Sequence, residues 1–395
     1  MNLAADLAGG IAALNVDVRL NTFFLNLAQD EDGVTCTLKG PEGVYGLRTR
    51  YVAGCDGGSS GVREKLGIGL FDYRFDEPWL VIDAIVDEPG DLPDRVMQIC
   101  DPRRPITYMK MSGKRYRWEF MIKPGEDHEA ISSDAGIRDL LAPWNCFERL
   151  TIERRAVYRF HGVVADRWRK GRVLLAGDAA HQMPPFAGQG MCAGIRDAVN
   201  LAWKLAAIIR DRADPALLDT YQAEREPHVR AVIETAIAMG KVVCILDEAA
   251  AAGRNAGMLA RKAAGERDIA LKFPDLTGGM LTETSGAGSL IPQPVTLAGR
   301  LDDRLGVGAW IIARHQTPAA TDMVCVSLDE PAFADVAPVL RRWLDSHQAA
   351  AALVRPDRYV FGTGPAAALL AQWRAGLNAA APTANSVGDL RLVRG

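Results

Sequence analysis

The stretch AGDAAHQMPPFAGQGMCAGIRDA, residues 176–198, decides the fold of this chain. It connects a short apolar strand, RVLLA at residues 172–176, to a helix that begins near Met191. Two adjacent prolines stiffen the connection, while Gly188 and Gly190 allow the backbone to approach a ligand closely. The N-terminus of the helix favours an anionic group. A loop of this kind fits contact with a flat, polar ligand.

A second segment has the same organisation as the first. YVAGCDGGSS (51–60) and VLLAGDAAHQ (173–182) each place an aspartate after a short apolar strand, Asp56 in one and Asp178 in the other. Ligands of open α/β sheets bind beyond the carboxyl ends of strands, where a carboxylate can accept hydrogen bonds from ribose or ribityl hydroxyls. The alternative for each residue is a turn or N-cap role. The two together favour a ligand.

Composition excludes several classes of protein. The length of 395 residues predicts two or three domains, and the net charge of -3 argues against a nucleic-acid binder. No segment reaches the ~18 apolar residues of a membrane-spanning helix. The seven scattered cysteines form no CxxC, which excludes a zinc ribbon and a dithiol redox pair and fits a cytoplasmic protein. No metal site is predicted.

His181 is the candidate catalyst within the opening stretch. The alternative is a histidine that hydrogen-bonds locally and orders the loop, and no partner for it is evident in the sequence. No catalytic residue is therefore assigned.

Two motifs carry a resemblance to a known family. DGGSSGVR (56–63), and RVLLAGDAAH (172–181) followed by MPPFAGQGMCAGIRDAVNLAWKL (183–205), are similar to the flavin motifs of the class A FAD-dependent aromatic hydroxylases. Within these flavoprotein monooxygenases, the chain most resembles the 3-(3-hydroxyphenyl)propionate hydroxylase group. The helix LLDTYQAEREPHV (217–229) also resembles that family, and ALVRPDRYVFG (352–362) resembles its thioredoxin-like C-terminal domain.

The resemblance implies an α/β fold with an α+β insert. Its parts are a three-layer FAD/NAD(P)-binding fold, an antiparallel substrate-domain sheet and a thioredoxin-like C-terminal domain. The family begins with G-x-G-x-x-G, which LAGGIAAL (7–14) does not match in spacing. We therefore expect a chain that lacks the first βαβ unit and is truncated at its N-terminus. The predicted domains are 1–69 (partial FAD-binding domain), 70–165 (substrate-binding sheet), 166–250 (FAD-binding domain continued), 251–292 (linker) and 293–395 (thioredoxin-like domain).

The resemblance also implies site residues. Asp178 would bind the ribityl chain, the loop 184–191 would line the isoalloxazine, and Asp56 and Arg63 would lie near the pyrophosphate and the pyridine nucleotide. The expected cofactor-binding residues are Asp56, Gly57, Arg63, Gly177, Asp178, Pro184, Pro185, Gly188, Gln189, Gly190 and Met191. The candidates for substrate contact are Tyr108, Trp118 and Phe186, each with a place in the core as its alternative.

The implied activity is hydroxylation of a phenolic substrate. NADH or NADPH would reduce FAD, O₂ would form a flavin C4a-hydroperoxide, and one oxygen would pass to the ring, as in the catabolism of hydroxyphenylpropionate-like compounds. The expected partners are a small aromatic substrate and O₂, without nucleic acid or membrane, and a homodimer is compatible with the resemblance. Two alternatives stay open: the same fold acting on a polyketide or drug, and an inactive truncated remnant.

Overall fold

The structure, a computed structural model, describes residues 10–11, 14, 16–211, 213–266 and 273–378. The chain forms two compact units. The described residues within 1–69 and 165–180 form the first unit, and those within 70–164 and 181–395 form the second. The start of the predicted FAD-binding domain (1–9) and the end of the predicted C-terminal domain (379–395) lie outside the described residues.

The first unit contains two small sheets. Strands β1 (Phe23–Gln29), β2 (Val34–Gly40) and β3 (Gly43–Thr49) form an antiparallel meander in that order. The second sheet has the order β10–β11–β4, and its strands are β4 (Val52–Gly54), β10 (Arg169–Lys170) and β11 (Val173–Leu175). A short helix, α1 (Gly61–Lys65), follows β4 and is capped by Ser60, whose Oγ accepts the Arg63 N–H at 3.0 Å.

The second unit begins with a six-stranded sheet in the order β12–β9–β5–β8–β7–β6. Its pairs β5–β8, β7–β8, β6–β7 and β9–β12 are antiparallel, which confirms the predicted antiparallel sheet. The strands are β5 (Leu70–Val86), β6 (Met97–Ile99), β7 (Ile106–Lys110), β8 (Arg115–Met121), β9 (Leu150–Ala165) and β12 (His181–Gln182). Two helices follow β8, namely α2 (His128–Ser132) and α3 (Asp134–Leu141).

The two faces of this sheet carry different hydrophobic clusters, because successive side chains of a strand point to opposite faces. One face presents Leu80 and Ile82 to the apolar residues of α3. The other presents Trp79 and Met121, which pair across β5 and β8. We call the second face the Trp79 face.

Long helices follow the opening stretch. Helix α4 (Gly190–Asp211) begins where the sequence predicts it, and α5 (Asp219–Val243) covers the family-like helix. Helix α6 (Glu248–Ala263) corrects the predicted linker at 251–292, whose first residues are helical. The alanine-rich sequence favours a helix, and the Asp247 side chain caps it by accepting the Ala250 N–H at 2.7 Å.

A buried ionic network joins these helices to the segment after β17 (Ala351–Val354). Lys204 of α4 donates to Glu224 of α5 at 2.8 Å, and Arg355 donates to the same carboxylate oxygen at 2.6 Å. These three side chains are fully buried. The network fixes α4 and α5 against the C-terminal part of the second unit.

The C-terminal part contains a mixed four-stranded sheet in the order β16–β15–β17–β18. Strand β15 is parallel to β16 and antiparallel to β17, an arrangement that fits the predicted thioredoxin-like domain. Its elements are β13 (Val295–Thr296), β14 (Gly299–Arg300), α7 (Leu301–Leu305), β15 (Trp310–Ala313), β16 (Val324–Ser327), α8 (Ala337–Ser346), β17, β18 (Val360–Gly364) and α9 (Ala366–Asn378).

Short 3₁₀ helices lie at Ala142–Trp144, Phe147–Arg149, Gly177–Ala179, Pro185–Ala187, Pro215–Leu218 and Pro331–Phe333. Within the described parts of the chain, no helix is both long enough and apolar enough to cross a membrane.

Candidate active site

The parallel pairing of β4 with β11 brings two predicted site segments to one sheet edge in the first unit. Val52 lies opposite Val173 and Gly54 opposite Leu175, so both strands end at the same level. The residues that follow are Cys55 and Asp56 on one strand, and the segment 176–178 on the other. The structure therefore places the two strand-end aspartates at a common edge, as expected for a ligand site of an α/β sheet.

The carboxylate of Asp56 accepts hydrogen bonds from residues of its own chain. Ser60 Oγ donates to Asp56 Oδ1 at 2.5 Å, and the Val62 backbone N–H donates to Oδ2 at 3.0 Å. These contacts brace the N-terminus of α1, which is the capping role that the sequence left open. Gly57 follows with φ of 81°, and a Cβ added there would meet nothing within 4 Å.

Arg63 is buried, and its guanidinium donates hydrogen bonds to backbone carbonyls of its own chain. Its side chain is buried, Nη1 donates to the carbonyl of Ala179 at 3.0 Å, and Nη2 donates to the carbonyl of Gly58 at 2.8 Å. The guanidinium therefore ties the turn after β4 to the turn after β11. This role would shape the strand-end edge through the backbone.

By comparison, the aspartate that follows β11 is accessible to solvent. Gly177 has φ of 60°, a backbone conformation that favours glycine, and Asp178 is exposed. Among the described residues, the Asp178 carboxylate has neither an ion pair nor a hydrogen-bond donor. Its oxygens are available to hydroxyl groups of a ligand.

The loop 184–191 belongs to the second unit. Pro184 and Pro185 lead into a 3₁₀ turn that ends at Gly188, whose φ is 62° and where an added Cβ would meet nothing within 4 Å. Helix α4 then starts at Gly190, and its first backbone bond runs from the Ala193 N–H to the Gln189 carbonyl at 2.8 Å. The amides before Ala193 are thus left for other acceptors.

Phe186 anchors this loop in an aromatic cluster on the Trp79 face. Its ring packs edge-on against Phe160 and Phe75, with centroid distances of 5.9 and 6.1 Å, and lies 5.8 Å from the Trp79 ring. Trp79 stacks on Phe160 at 5.6 Å. We call these four residues the Phe186 cluster. The cluster makes an apolar wall beside the loop, and a Cβ at Gly240 of α5 would meet the Phe186 ring at 2.7 Å.

Tyr108 and Trp118 do not share a wall with Phe186. They pair across β7 and β8 on the face opposite to the Trp79 face, in the core cluster under α3. The Tyr108 hydroxyl donates to the Pro93 carbonyl at 2.7 Å. The expectation that these three residues line one pocket is corrected, because the alternation along β7 and β8 turns Tyr108 and Trp118 into the core.

His181 has the local partner that the sequence did not reveal. It is 1% exposed, and its Nε2 lies 2.6 Å from Asp197 Oδ2. Arg225 Nε donates to Asp197 Oδ1 at 2.9 Å. Although burial acts to raise it, the hydrogen bond with His181 and the charge of Arg225 hold the pKa of Asp197 below its usual range. This buried chain of contacts fixes β12 against α4 and α5.

Each unit by itself carries features that fit a part of a flavin. The glycines at 57 and 188 have open space where a side chain would project, and the Asp178 carboxylate offers acceptors without a competing donor among the described residues. In the first unit, the carboxylate oxygens of Asp178 can accept hydrogen bonds from ribityl hydroxyls; in the second unit, the first amides of α4 can donate hydrogen bonds to a planar ring. In the described parts of the chain, no group of His, Cys, Asp and Glu side chains is arranged to hold a metal ion.

The sequence matches two families. Residues 2–236 match the family described as FAD binding domain, and residues 312–379 match the HcaD C-terminal domain. A probable NADH-specific resorcinol 4-hydroxylase of Rhodococcus jostii (strain RHA1) is 38% identical over 369 residues, covering 87% of this chain and 68% of that protein. A 3-(3-hydroxy-phenyl)propionate/3-hydroxycinnamic acid hydroxylase of Burkholderia cenocepacia (strain HI2424) is 35% identical over 406 residues, covering 90% and 73%.

Solved structures show the same fold. The OxyS anhydrotetracycline hydroxylase from Streptomyces rimosus has a TM-score of 0.73 at 26% identity, covering 94% of this chain and 78% of that one. An aklavinone-11 hydroxylase, solved with FAD and aklavinone, has a TM-score of 0.68 at 23% identity, covering 90% and 74%.

Proposed function

The chain belongs to the FAD binding domain family of flavin-dependent aromatic hydroxylases, and on that premise we propose that it hydroxylates a small phenol, with NADH as the reductant and O₂ as the oxidant. It is an FAD-dependent monooxygenase by family. The relatives at 35–38% identity are named for resorcinol and for hydroxyphenylpropionate, whereas the structure at 26% identity is named for a polycyclic substrate. The higher identity supports a single-ring phenol.

The observation that carries this proposal is the common edge of β4 and β11. An exposed carboxylate without a partner in the described residues lies there, beside glycine backbone. When FAD is bound, Asp178 would accept hydrogen bonds from the ribityl hydroxyls, the loop 184–191 would line the isoalloxazine, and the first amides of α4 would stabilise negative charge on its reduced form. Asp56 and Arg63 act mainly through the backbone that they hold, with Gly57 giving room for the ligand.

When bound, FAD supplies the redox chemistry that couples NADH oxidation to the activation of O₂. The chain's own residues orient the phenol and exclude water. The Phe186 cluster provides apolar rings beside the flavin loop, and a dry aromatic wall favours oxygen transfer over loss of the oxidant to solvent.

The proposal extends to domains, compartment and assembly. Segments 1–69 and 166–250 bind FAD, segment 70–165 supplies the substrate sheet, and segment 293–395 is an accessory domain. None of the seven cysteines, all of which lie in the described residues, forms a disulfide, and this supports a cytoplasmic location, since thiols persist where the environment is reducing. A homodimer stays a prediction, which light scattering of the purified enzyme tests.

The test of function is substrate-stimulated NADH oxidation together with product analysis. Flavin-loaded enzyme is given resorcinol, 3-(3-hydroxyphenyl)propionate or anhydrotetracycline under ¹⁸O₂. We expect one labelled oxygen atom in the product of a single-ring phenol. Hydroxylation of anhydrotetracycline alone would contradict the proposed substrate class, and no labelled product from any of the three would contradict the function.

A further inference from the structure

Strand β5 carries a glutamate, Glu77, midway in sequence between two aromatic residues of the Phe186 cluster. Phe75, Glu77 and Trp79 alternate along the strand, so their side chains leave the sheet on the same face. Neighbouring Cα atoms of this series are about 6.6 Å apart. Since Phe186 contacts the rings of both Phe75 and Trp79, the intervening Glu77 faces the same loop residue.

The Glu77 carboxylate lies in surroundings that favour its protonated form. It is half-buried, and among the described residues it has neither an ion pair nor a hydrogen-bond donor. Burial, followed by the charge of Asp76, raises the pKa of Glu77 above its usual range. Burial, followed by the charges of Glu77 and Cys100, raises the pKa of the Cys244 thiol to about 12. Glu77 is thus a better proton acceptor than an exposed glutamate.

The charged groups around Glu77 do not neutralise it. Arg159 of β9 donates to Asp76 at 2.6 Å, and His161 Nδ1 lies 3.7 Å from the same carboxylate, on the opposite face of β5. The guanidinium of Arg254 in α6 donates to the backbone carbonyls of Val242 and Cys100. The titratable and charged groups near Glu77 are therefore Asp76, Arg159, His161, Cys100, Cys244 and Arg254.

A matching donor lies two residues along the same strand. Trp79 is fully buried, and its indole Nε1 has no hydrogen-bond partner among the described residues. A buried indole N–H ordinarily finds an acceptor. Glu77 and Trp79 thus form an unpaired acceptor and an unpaired donor on one face, and a phenol hydroxyl, which both donates and accepts, satisfies both groups.

We propose that Glu77 is the general base that takes the proton of the substrate phenol, and that Trp79 Nε1 donates a hydrogen bond to the phenol oxygen. This assignment rests on the proposed function for the reaction, whereas binding of a phenol at Glu77 and Trp79 can be tested without turnover.

The proton and atom balance closes without a further reagent. The phenol O–H bond breaks and its proton moves to the Glu77 carboxylate, which leaves electron density on the ring for attack on the transferred oxygen. The ring then loses the hydrogen of the hydroxylated carbon as a proton when aromaticity returns, and Glu77 returns its proton to the phenolate oxygen. Overall, phenol, O₂, NADH and one proton give the dihydroxy product, NAD⁺ and water.

The kinetic test compares Glu77→Gln with the wild type on a weakly acidic phenol. We expect kcat to fall about a hundredfold at neutral pH, the usual scale of a lost general base. The variant should recover as the pH rises and the phenol ionises by itself. On a nitrophenol that is already ionised, the loss should shrink to within about fivefold, since no base is then needed. Glu77→Asp should retain part of the activity.

The matched control is Asp76→Asn, which removes the same charge from the opposite face of the strand. It should leave hydroxylation at neutral pH unchanged and move the acidic limb of the pH profile to lower pH, because a like charge beside Glu77 is gone. Equal losses in Glu77→Gln for ionised and neutral phenols would overturn the proposal, as would activity equal to that of the wild type.

A binding test does not depend on turnover. The ionisation of bound 4-nitrophenol is followed by its visible phenolate band. Glu77→Gln should lower the apparent pKa of the bound phenol, because the repelling carboxylate is gone, and Trp79→Phe should raise it, because the donor is gone. If the two variants shift the pKa of bound 4-nitrophenol in opposite directions but the wild type hydroxylates no phenol, the phenol site is upheld and the proposed function is refuted. The absence of both shifts would refute the site.

Discussion

The ends of strands β4 and β11 are alike in backbone and different in chemistry. Both strands end in small residues and an aspartate, and parallel pairing aligns them at one edge. The Asp56 carboxylate accepts hydrogen bonds from Ser60 and Val62 at the start of α1. The Asp178 carboxylate is exposed, and no donor within the described residues reaches it.

The difference has a local cause. After β4 the chain turns into α1 within a few residues, so a carboxylate at the strand end meets the orphan amides of a helix N-terminus. After β11 comes a short 3₁₀ turn and then strand β12, which present no comparable set of free amides to Asp178. A strand-end aspartate is therefore available to a ligand only where its own chain does not use it.

The largest expected effect in this comparison concerns Arg63, which holds the two strand ends together. Arg63→Met should lower the free energy of unfolding by about 3 kcal/mol, because two charged hydrogen bonds to the carbonyls of Gly58 and Ala179 are lost. Urea unfolding measures this loss. Arg63→Lys should recover only part of it, since an ammonium cannot reproduce the fork. If Arg63→Met left the stability unchanged but abolished flavin binding, Arg63 would be a ligand-binding residue and not the residue that holds the two strand ends together.

Asp178→Ala should act on the flavin and not on the fold. We expect flavin affinity to fall about tenfold to a hundredfold, corresponding to about 1.5–3 kcal/mol for hydrogen bonds to a charged acceptor. Stability should change by less than about 0.5 kcal/mol, since the side chain is exposed and its carboxylate has no hydrogen-bond donor or ion-pair partner in the part of the chain that the structure describes. Flavin fluorescence titration gives the dissociation constant, and Glu42→Ala, at another exposed carboxylate of the same unit, is the control. An unchanged dissociation constant would remove the distinction between the two strand ends.

Asp56→Ala should show the converse behaviour. The loss of its contacts at the N-terminus of α1 should cost about 1–2 kcal/mol of stability, the usual scale for an N-terminal cap. Asp56→Asn keeps one acceptor oxygen and should cost less. Thermal unfolding measures both variants. A stable Asp56→Ala protein with weakened flavin binding would contradict the assignment of Asp56 to the helix.

The smallest effect is expected at Gly190, at the start of α4. A Cβ added there would meet only the Met183 side chain, at 3.9 Å, so Gly190→Ala should be neutral or stabilising by up to about 1 kcal/mol. It should nevertheless weaken flavin binding by narrowing the space beside the start of α4. Gly253→Ala in α6, where an added Cβ meets nothing within 4 Å, should stabilise similarly without affecting the flavin. If Gly190→Ala and Gly253→Ala bind flavin equally well, the isoalloxazine ring does not lie beside the start of α4.

Much of the architecture is predictable from local sequence signals. The small residues and aspartates after RVLLA and RYVAG indicate strand ends, the Pro-Pro and Gly-Gln-Gly segment indicates the stiff loop, and the following apolar periodicity indicates α4. The same motifs identify the family, because they combine specific residue types at fixed spacing. The linker prediction failed at α6, where alanines and the Asp247 cap outweigh the glycines.

The functional assignment of individual side chains required the tertiary structure. Alternation places Phe75, Glu77 and Trp79 on one face of β5, but which face meets Phe186 depends on packing between distant segments. For the same reason the sequence could not show that Tyr108 and Trp118, both candidates for substrate contact, lie in the core under α3. The sequence by itself determined the family, the two strand ends and the start of α4, because these are encoded by neighbouring residues. Only the tertiary structure decided that the Asp56 carboxylate accepts hydrogen bonds from α1 whereas the Asp178 carboxylate is exposed, that His181 pairs with Asp197, and that Phe186 meets the face of β5 that carries Phe75 and Trp79. Each depends on which groups come within hydrogen-bond or van der Waals reach in the folded chain.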